Sequence, residues 1–375
     1  MMATIPGPAA PMNDGRISGL DGLRVLAVLT VLLYHQKLVP FGWAGVQFFF
    51  VLSGYLITRL LWVARDQPLR SYLTGFYGRR ALRIFPLYYG ALALLCVAAI
   101  ATGREANFMN SLPYLATYTF NLWRAVPEIR GTESVGHFWS LCVEEQFYLV
   151  WPFVIFFCRE RLVRPFLIAL ALAGPLVRLL EVLWAKSWAG PHSLDWIVYL
   201  LTPTYFDAFA MGAFVALFPL GGRVKLWGAT FVATIVVVAA VLSTANGVRD
   251  EQGMGPGYIL LWGYGLVNLC AALTIDCLAF RKLAPGFFDS APMQYLGKIS
   301  YGLYVFHVPV QLALERALPQ APLYVRLVAQ IVLTIVIAGL SYRYWEKPFL
   351  GMKDRWFPTG QQHDTRPLAV SAERA

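Results

Sequence analysis

Residues 20–39 read LDGLRVLAVLTVLLYHQKLV, an apolar stretch that is interrupted by Arg24 and His35. An α-helix turns about 100° per residue, so this spacing places both side chains on one helical face, with their Cα atoms roughly 16 Å apart. The stretch therefore predicts a membrane helix with a cation at one edge and an imidazole well inside. Buried ionisable groups indicate function by default, although a snorkelling arginine and a packed, hydrogen-bonded histidine would also fit.

The composition is that of a polytopic membrane protein. Of the 375 residues, 58% are apolar and only 14% are charged. Apolar segments of about twenty residues are long enough to cross a bilayer as helices. They predict an all-α membrane bundle of about ten transmembrane helices, over residues 20–39, 43–62, 84–102, 139–158, 166–185, 197–219, 226–245, 257–280, 299–316 and 323–345.

The distribution of positive charge predicts the topology. With ten spans, both termini lie on one side, and that side carries 22 of the 31 lysines and arginines, against 8 on the other. Cytoplasmic loops are enriched in these residues, so both termini are predicted to be cytoplasmic. The net charge of +10 then reflects membrane asymmetry, and it does not indicate a nucleic-acid partner.

Domain boundaries follow from the same pattern. Residues 1–17 predict a disordered cytoplasmic tail, residues 18–350 a transmembrane domain and residues 351–375 a second cytoplasmic tail. The longest outer connection, residues 103–137, has an apolar centre too short to span, which favours a re-entrant or interfacial helix. Five cysteines without a CxxC pattern predict neither a disulfide framework nor a zinc site, and no metal site is expected.

A basic cluster precedes the third span. Arg79, Arg80 and Arg83 stand just before IFPLYY, and Arg80 and Arg83 are neighbours on one helical face. Together with Arg24 they predict a basic mouth at one membrane edge. Such guanidinium clusters bind phosphate through charge-assisted hydrogen bonds, but anchoring by anionic lipid explains many basic loops equally well.

The fourth span opens with HFWSLCVEEQFYLVWP, residues 137–152. His137 and Glu144 are seven positions apart and share a face, and Glu145 lies beside it. Two adjacent carboxylates cannot both face lipid cheaply, so at least one is expected to point inward. A catalytic role and a structural ion pair with a buried arginine are both compatible with this pattern.

Other spans carry single polar groups. Asp207 follows TYF on the sixth span and can brace a helix or a catalytic group, and Arg178 and Glu181 are expected to pair with each other. In LGKISYGLYVFHVPV, His307 stands mid-span behind Tyr301 and Tyr304 and can be a strut or a catalyst. Two further expectations concern the second span, where Ser53 and Gly54 favour close helix packing and Ser53 is a weaker candidate for a nucleophile.

Several stretches together resemble the membrane acyltransferases of type three, over residues 19–350. The ordered set comprises the Arg24–His35 spacing, GVQFFFVLSGYLIT, RRALRIFPLYY, HFWSLCVEEQFYLVWP, LGKISYGLYVFHVPV and SYRYWEKPF. The sequence departs from the family at Gln47, where an aspartate is common, and at Val308, where an aromatic residue commonly follows the histidine. Neither difference affects Arg24 or His35.

The resemblance implies O-acyl transfer, usually of acetyl, from a cytoplasmic acyl-CoA to a hydroxyl of a glycan or glycolipid in the bacterial inner membrane. The implied site has His35, Glu144 and Glu145 as catalytic residues, with the glutamates holding the tautomer of His35 or orienting the hydroxyl. Arg24, Arg79, Arg80 and Arg83 would bind acyl-CoA, which acts as co-substrate with no permanently bound cofactor. Acceptor-binding or supporting roles fall to His137, Asp207, Tyr304 and His307.

Alternatives remain at this point. His35 can act as a base or carry a transient acyl group. Membrane histidines and carboxylates also serve as proton relays, so a proton-coupled transporter of a glycan or lipid-linked precursor fits too. Lipopolysaccharide, capsule, peptidoglycan, and a macrolide-type small molecule are all compatible acceptors.

Overall fold

The computed structural model describes residues 19–103, 105–126, 133–189, 194–220, 263–281 and 285–357. Helices account for the regular structure, and no β-strand occurs in these ranges. The all-α prediction is therefore confirmed for the described part of the chain. The predicted tail 1–17 and the predicted span 226–245 lie outside it.

The first half of the chain forms helices that broadly match the predicted spans. They are α1 (Leu20–His35), α2 (Ala44–Ala64), α3 (Leu69–Ala101), α4 (Glu105–Ala116), α5 (Phe120–Arg124), a 3-10 turn (Glu133–Phe138), α6 (Trp139–Phe157) and α7 (Glu160–Lys186).

The second half is more broken. It contains α8 (Leu194–Leu200), a 3-10 turn (Pro203–Tyr205), α9 (Phe206–Leu217), α10 (Tyr264–Arg281), α11 (Pro285–Phe288), α12 (Ala291–Lys298), α13 (Ser300–Ala317), α14 (Leu323–Ser341), a π-helical turn (Tyr342–Glu346) and α15 (Lys347–Trp356). The predicted span 197–219 is thus split in two by Pro203, and α15 extends helix into the region predicted as a tail from residue 351.

Five helical stretches of the described chain are long and apolar enough to cross a membrane. They are Ala44–Ala64, Leu69–Ala101, Glu133–Phe157, Glu160–Lys186 and Leu323–Lys353. The prediction of ten spans and of cytoplasmic termini is not confirmed. Several predicted spans form helices that are shorter than the predicted segments, among them α1 and α9.

The helix α1 ends at His35, four residues before the apolar segment does. Lys37 adopts a left-handed backbone conformation with φ of 59°, which turns the chain back toward α2. The returning chain packs closely, because a Cβ atom on Gly45 would collide with the side-chain oxygen of Thr30 at 2.6 Å. His35 therefore stands at a helix end inside the bundle.

The helix α3 is much longer than its predicted span. It begins at Leu69 and contains 33 residues, which gives a length of about 50 Å, against a hydrocarbon core of about 30 Å. Its first half carries Arg79, Arg80 and Arg83. The apolar segment was recognisable from the sequence, but its continuation back to Leu69 was not.

The helices α2 and α9 form the most extensive helix pair of the structure. A Cβ atom on Gly54 would overlap the backbone of Phe209, and one on Gly212 would overlap the backbone of Val51. The prediction that the small residues of the second span admit a close neighbour is confirmed. The identity of that neighbour follows only from the structure.

The described parts of the connection between α3 and α6 are helical and pack on the bundle. Tyr88 and Tyr89 of α3 donate hydrogen bonds to the carbonyl oxygens of Leu115 and Ala116 at 2.8 and 2.9 Å. Asn121 of α5 is fully buried and donates to the carbonyl oxygen of Leu200 at 3.0 Å. These bonds fix the chain that leads into the 3-10 turn carrying His137.

Candidate active site

Three of the five histidines meet in the interior, and we refer to His35, His137 and His307 as the histidine cluster. The ring centroids of His35 and His307 are 5.1 Å apart, those of His137 and His307 4.7 Å, and those of His35 and His137 6.4 Å. The rings come from α1, from the 3-10 turn before α6 and from α13. The sequence identified each residue but not their convergence.

His137 and His307 are almost completely buried, with 3% and 2% of their surface exposed. The Nδ1 atom of His307 lies 2.6 Å from the carbonyl oxygen of Tyr304, and the Nε2 atom of His137 lies 3.2 Å from the carbonyl oxygen of Val305. The second ring nitrogen of each residue is buried and has no hydrogen-bond partner. The cluster therefore holds unsatisfied polar atoms, which are uncommon inside proteins.

His35 differs from its two neighbours because it is only half-buried. Its ring forms no hydrogen bond with any other described residue, and its backbone carbonyl accepts a bond from Nε2 of Gln311 at 3.3 Å. The adjacent Gln36 donates to Gln330 at 2.6 Å, and Gln330 donates to the carbonyl oxygen of His307 at 3.0 Å. The backbone around His35 is thus anchored, while its ring has no hydrogen-bond partner in the described chain.

Tyr304 and Ser140 lie next to the histidine cluster. The two hydroxyl groups are 2.5 Å apart, and Tyr304 also donates to the carbonyl oxygen of His137 at 3.1 Å. The Tyr304 ring centroid lies 5.4 Å from that of His307. Tyr304 is thus buried, and its hydroxyl contacts both Ser140 and the carbonyl oxygen of His137, while its role in the reaction stays a prediction.

Glu144 forms a separate polar cluster with Ser53 and Tyr148. Its Oε1 atom accepts hydrogen bonds from both hydroxyl groups, which are themselves 3.1 Å apart. The guanidinium of Arg80 lies over the Tyr148 ring, 4.9 Å from its centroid. The sequence placed no acid beside Ser53, since 91 positions separate it from Glu144.

The predicted contact between the glutamates and His35 is not present. No hydrogen bond in the described part of the chain joins His35 to Glu144 or Glu145, because Glu144 is held by Ser53 and Tyr148. Glu145 is half-buried and interacts electrostatically with Glu144 and Arg80. In the described chain neither carboxylate is hydrogen-bonded to His35, so a role in holding its tautomer has no support, and the other predicted role, orienting the acceptor hydroxyl, stays a prediction.

Three of the four predicted arginines lie together, and we keep the name basic mouth for Arg24, Arg80 and Arg83. Arg83 interacts electrostatically with both other arginines and with Asp21, and Arg24 forms an ion pair with Asp21 at 2.5 Å. Arg79 is placed differently. Its Nη1 donates to the carbonyl oxygen of Phe357 at 2.6 Å, so it ties α3 to the chain after α15.

Asp207 belongs to a buried ion pair away from the histidines. Its Oδ2 accepts from Arg178 at 2.9 Å and its Oδ1 from Asn268 at 3.1 Å, while Asp207 and Arg178 are both 0% exposed. Glu181 accepts from the Thr204 hydroxyl at 2.7 Å. The expected Arg178–Glu181 pair thus omitted the main partner of Arg178, and Asp207 holds α7, α9 and α10 together.

Arg124 is the functional candidate that the sequence did not single out. Its Nη1 donates to the carbonyl oxygen of Gly136 at 2.6 Å, and it lies 4.9 Å from the Trp196 ring centroid. It acts electrostatically on His35 and His137. Burial lowers the pKa of its guanidinium to about 10, so it stays a cation at neutral pH. The available signal was that Arg124 directly follows the aromatic centre of the connection 103–137.

The fold and this site define a helical membrane protein with an interior histidine cluster and a separate basic mouth. The chain matches the family described as acyltransferase domain over residues 17–343. It therefore belongs to this acyltransferase family, and the resemblance drawn from the motifs is confirmed.

Curated relatives carry related names. The chain is 28% identical over 369 residues to the peptidoglycan O-acetyltransferase OatA of Listeria monocytogenes, which covers 90% of this chain and 58% of the relative. It is 30% identical over 353 residues to the O-acetyltransferase OatA of Staphylococcus aureus, which covers 88% of this chain and 57% of the relative. The chain thus spans little more than half the length of these relatives. No solved structure matches it.

Proposed function

We propose that this chain is a multi-pass O-acyltransferase of the bacterial cytoplasmic membrane that moves an acetyl group from acetyl-CoA to a hydroxyl of a glycan. Membership of the acyltransferase family supports the reaction class. The relatives named for O-acetylation, one of them for peptidoglycan, support acetyl as the group and peptidoglycan as the first acceptor to test. The observation that carries the proposal is the position of the half-buried His35 in contact with the two buried rings of the histidine cluster.

His35 is proposed as the general base. Its ring nitrogen takes the proton of the acceptor hydroxyl while the oxygen attacks the thioester carbonyl. The tetrahedral adduct then collapses, the carbon–sulfur bond breaks, and the thiolate of CoA leaves with the proton from His35. A thioester is already activated, so the protein mainly supplies a base, positioning and charge stabilisation.

The basic mouth is proposed to bind the phosphates of CoA. Arginine forks bind phosphate through paired, charge-assisted hydrogen bonds. Arg24 lies in the second turn of α1, the helix that ends at His35. The rise of about 1.5 Å per residue separates the two residues by roughly 16 Å. An extended pantetheine arm could follow α1 over that distance and bring the thioester to the histidine cluster.

The decisive experiment combines the purified protein in detergent with acetyl-CoA and a panel of acceptors. The panel comprises muropeptides, a lipopolysaccharide fragment, a capsular oligosaccharide and a macrolide. Released CoA and acetylated acceptor are measured by mass spectrometry, because five free cysteines would react with thiol reagents. His35→Ala is run in parallel, with Asp66→Ala, an exposed residue between α2 and α3, as the control.

Stoichiometric CoA release and acceptor acetylation that require His35 would support the proposal and identify the acceptor class. Release of CoA without acceptor, with acetyl retained on the protein at His35, would support the acyl-enzyme route within the same function. A folded protein that neither releases CoA nor binds acetyl-CoA would overturn acetyl-CoA as donor, and flux of an unmodified glycan across vesicles would favour a transporter.

A further inference from the structure

The two buried histidines are fixed in opposite tautomers by backbone carbonyl groups. A carbonyl oxygen can only accept a hydrogen bond, so the nitrogen bonded to it must carry the proton. The hydrogen is therefore on Nδ1 of His307, facing the Tyr304 carbonyl at 2.6 Å, and on Nε2 of His137, facing the Val305 carbonyl at 3.2 Å. In a neutral imidazole the other nitrogen is then an acceptor.

These two acceptor atoms have no donor. Nε2 of His307 and Nδ1 of His137 are buried without a hydrogen-bond partner. The rings are 4.7 Å apart, but neither can donate to the other because each N–H group is held by a carbonyl. Leaving such an atom unsatisfied is costly, so a donor is expected to reach it in some state of the protein.

His35 is the donor within reach. Directly hydrogen-bonded imidazoles have ring centroids about 5 Å apart, since N···N distances run about 3 Å and each nitrogen lies roughly 1 Å from its ring centre. The centroids of His35 and His307 are 5.1 Å apart, and those of His35 and His137 are 6.4 Å apart. A small rotation of the half-buried His35 ring would complete the bond with His307.

Among the described residues, no carboxylate, Glu145 included, is hydrogen-bonded to the His35 ring. Glu144 is engaged by Ser53 and Tyr148, and Glu315 is reached only through Gln311, which contacts the backbone carbonyl of His35. The nearby charge that acts on His35 is the cation Arg124, which cannot accept a hydrogen bond. In the described ranges, no group of histidine, cysteine and carboxylate side chains is arranged to hold a metal ion.

We propose that His307, with His137 as its neighbour, is a positioning residue for His35 and takes the place that a carboxylate holds in a Ser–His–Asp triad. One N–H of His35 donates to Nε2 of His307, which leaves the opposite nitrogen as the base. When His35 takes the proton of the glycan hydroxyl, the same bond to His307 stabilises the resulting imidazolium. This inference rests on the proposed function only in assigning the base.

Amide substitutions separate this role from a purely structural one. Asn can reproduce the Nδ1 position of a histidine and Gln can reproduce Nε2. His307→Asn therefore keeps the donor to Tyr304 and loses the acceptor, whereas His307→Gln keeps an acceptor near the position of Nε2. At His137 the order is reversed: Gln keeps the donor to Val305, and Asn keeps the acceptor.

The Asn and Gln variants are expected to rank in opposite order of transfer rate at His307 and at His137. His307→Asn and His137→Gln should lose about 10- to 100-fold in transfer rate with normal folding, the effect at His307 being larger, while His307→Gln and His137→Asn retain more activity. If the two histidines have only a structural role, the variants that keep the donor to the carbonyl group retain more activity. That reverse order would overturn the proposal. A metal site would instead show loss of activity on chelation and its recovery with added metal, which would also overturn it.

A second measurement needs neither an acetyl donor nor a glycan acceptor. Diethyl pyrocarbonate modifies only unprotonated imidazole, so its reaction at His35 can be followed against pH by peptide mass spectrometry in intact detergent-solubilised protein. His307→Asn should shift the midpoint at His35 to lower pH by about one unit, because the imidazolium loses its acceptor. An unchanged midpoint contradicts the inference even if transfer is confirmed, and a shift upholds it even if the transferase proposal fails.

Discussion

The histidine cluster and the Arg178–Asp207 pair are both polar groups buried within an apolar helical bundle, yet they are built differently. Asp207 and Arg178 are 0% exposed, and the two oxygens of Asp207 accept bonds from Arg178 and Asn268. In the histidine cluster, one ring nitrogen of His137 and one of His307 have no partner, and His35 is half-buried.

Whether a buried polar group has all its hydrogen-bond partners distinguishes structural groups from functional ones better than burial alone does. A satisfied buried ion pair holds helices together, and removing one partner leaves an uncompensated charge. Unsatisfied acceptors beside the half-buried His35 are a cost that the fold tolerates, which is typical of sites that act on a ligand. From the sequence alone, Asp207 and His307 are equivalent lone polar groups within apolar spans.

The largest expected effect is at His35. His35→Ala should lower the transfer rate by about 10² to 10⁴, because a positioned base is lost. Its unfolding temperature in detergent should fall only slightly, because His35 is half-buried and the single bond proposed for its ring is the one to His307. Normal transfer by a purified and folded His35→Ala protein would rule out this residue as the base.

Asp207 should behave in the opposite way. Asp207→Ala leaves the Arg178 guanidinium buried without its carboxylate, so we expect a loss of about 3–5 kcal/mol in the free energy of unfolding. Thermal unfolding and the yield of folded protein measure it, with Asp66→Ala as the exposed control. If Asp207→Ala instead folded normally and lost transfer, the contrast between the two regions would fail.

Glu144 tests a region that lies between these extremes, since it is hydrogen-bonded but half-buried. Glu144→Gln keeps the size of the side chain and weakens its bonds with Ser53 and Tyr148. We expect about a tenfold fall in kcat, in line with the strength of hydrogen bonds to a charged group, and little change in unfolding temperature. A lower unfolding temperature with unchanged kcat would place Glu144 with the structural pairs.

The smallest effects are expected at the basic mouth. Arg80→Ala and Arg83→Ala should each raise the KM for acetyl-CoA about threefold to tenfold at low salt, and high salt should reduce the difference by screening. Arg70→Ala, an exposed arginine on the same helix α3, is the matched control. An equal increase for Arg70→Ala, or an increase independent of salt, would argue against phosphate contact at Arg80 and Arg83.

The sequence alone determined the membrane class, the all-helical fold and the shared face of Arg24 and His35. These features are local, because apolar length and a turn of about 100° per residue act within one segment. The family was also readable, since its motifs lie in order along the chain and the family match covers residues 17–343. The lengths of α1 and α3 were less predictable, because α1 ends just before a turn at Lys37 and α3 begins at Leu69, well before its apolar segment.

Only the tertiary structure decided which polar groups meet. Helical periodicity fixes the face on which a residue lies but does not fix the neighbouring helix. His35, His137 and His307 come together because α1, the turn before α6 and α13 pack around one point. The same packing places Glu144 in hydrogen-bond contact with Ser53, and Asp207 with Arg178. It also brings Arg79 to the carbonyl oxygen of Phe357. The candidate residues were thus written in the sequence, while their partners were set by packing between distant segments.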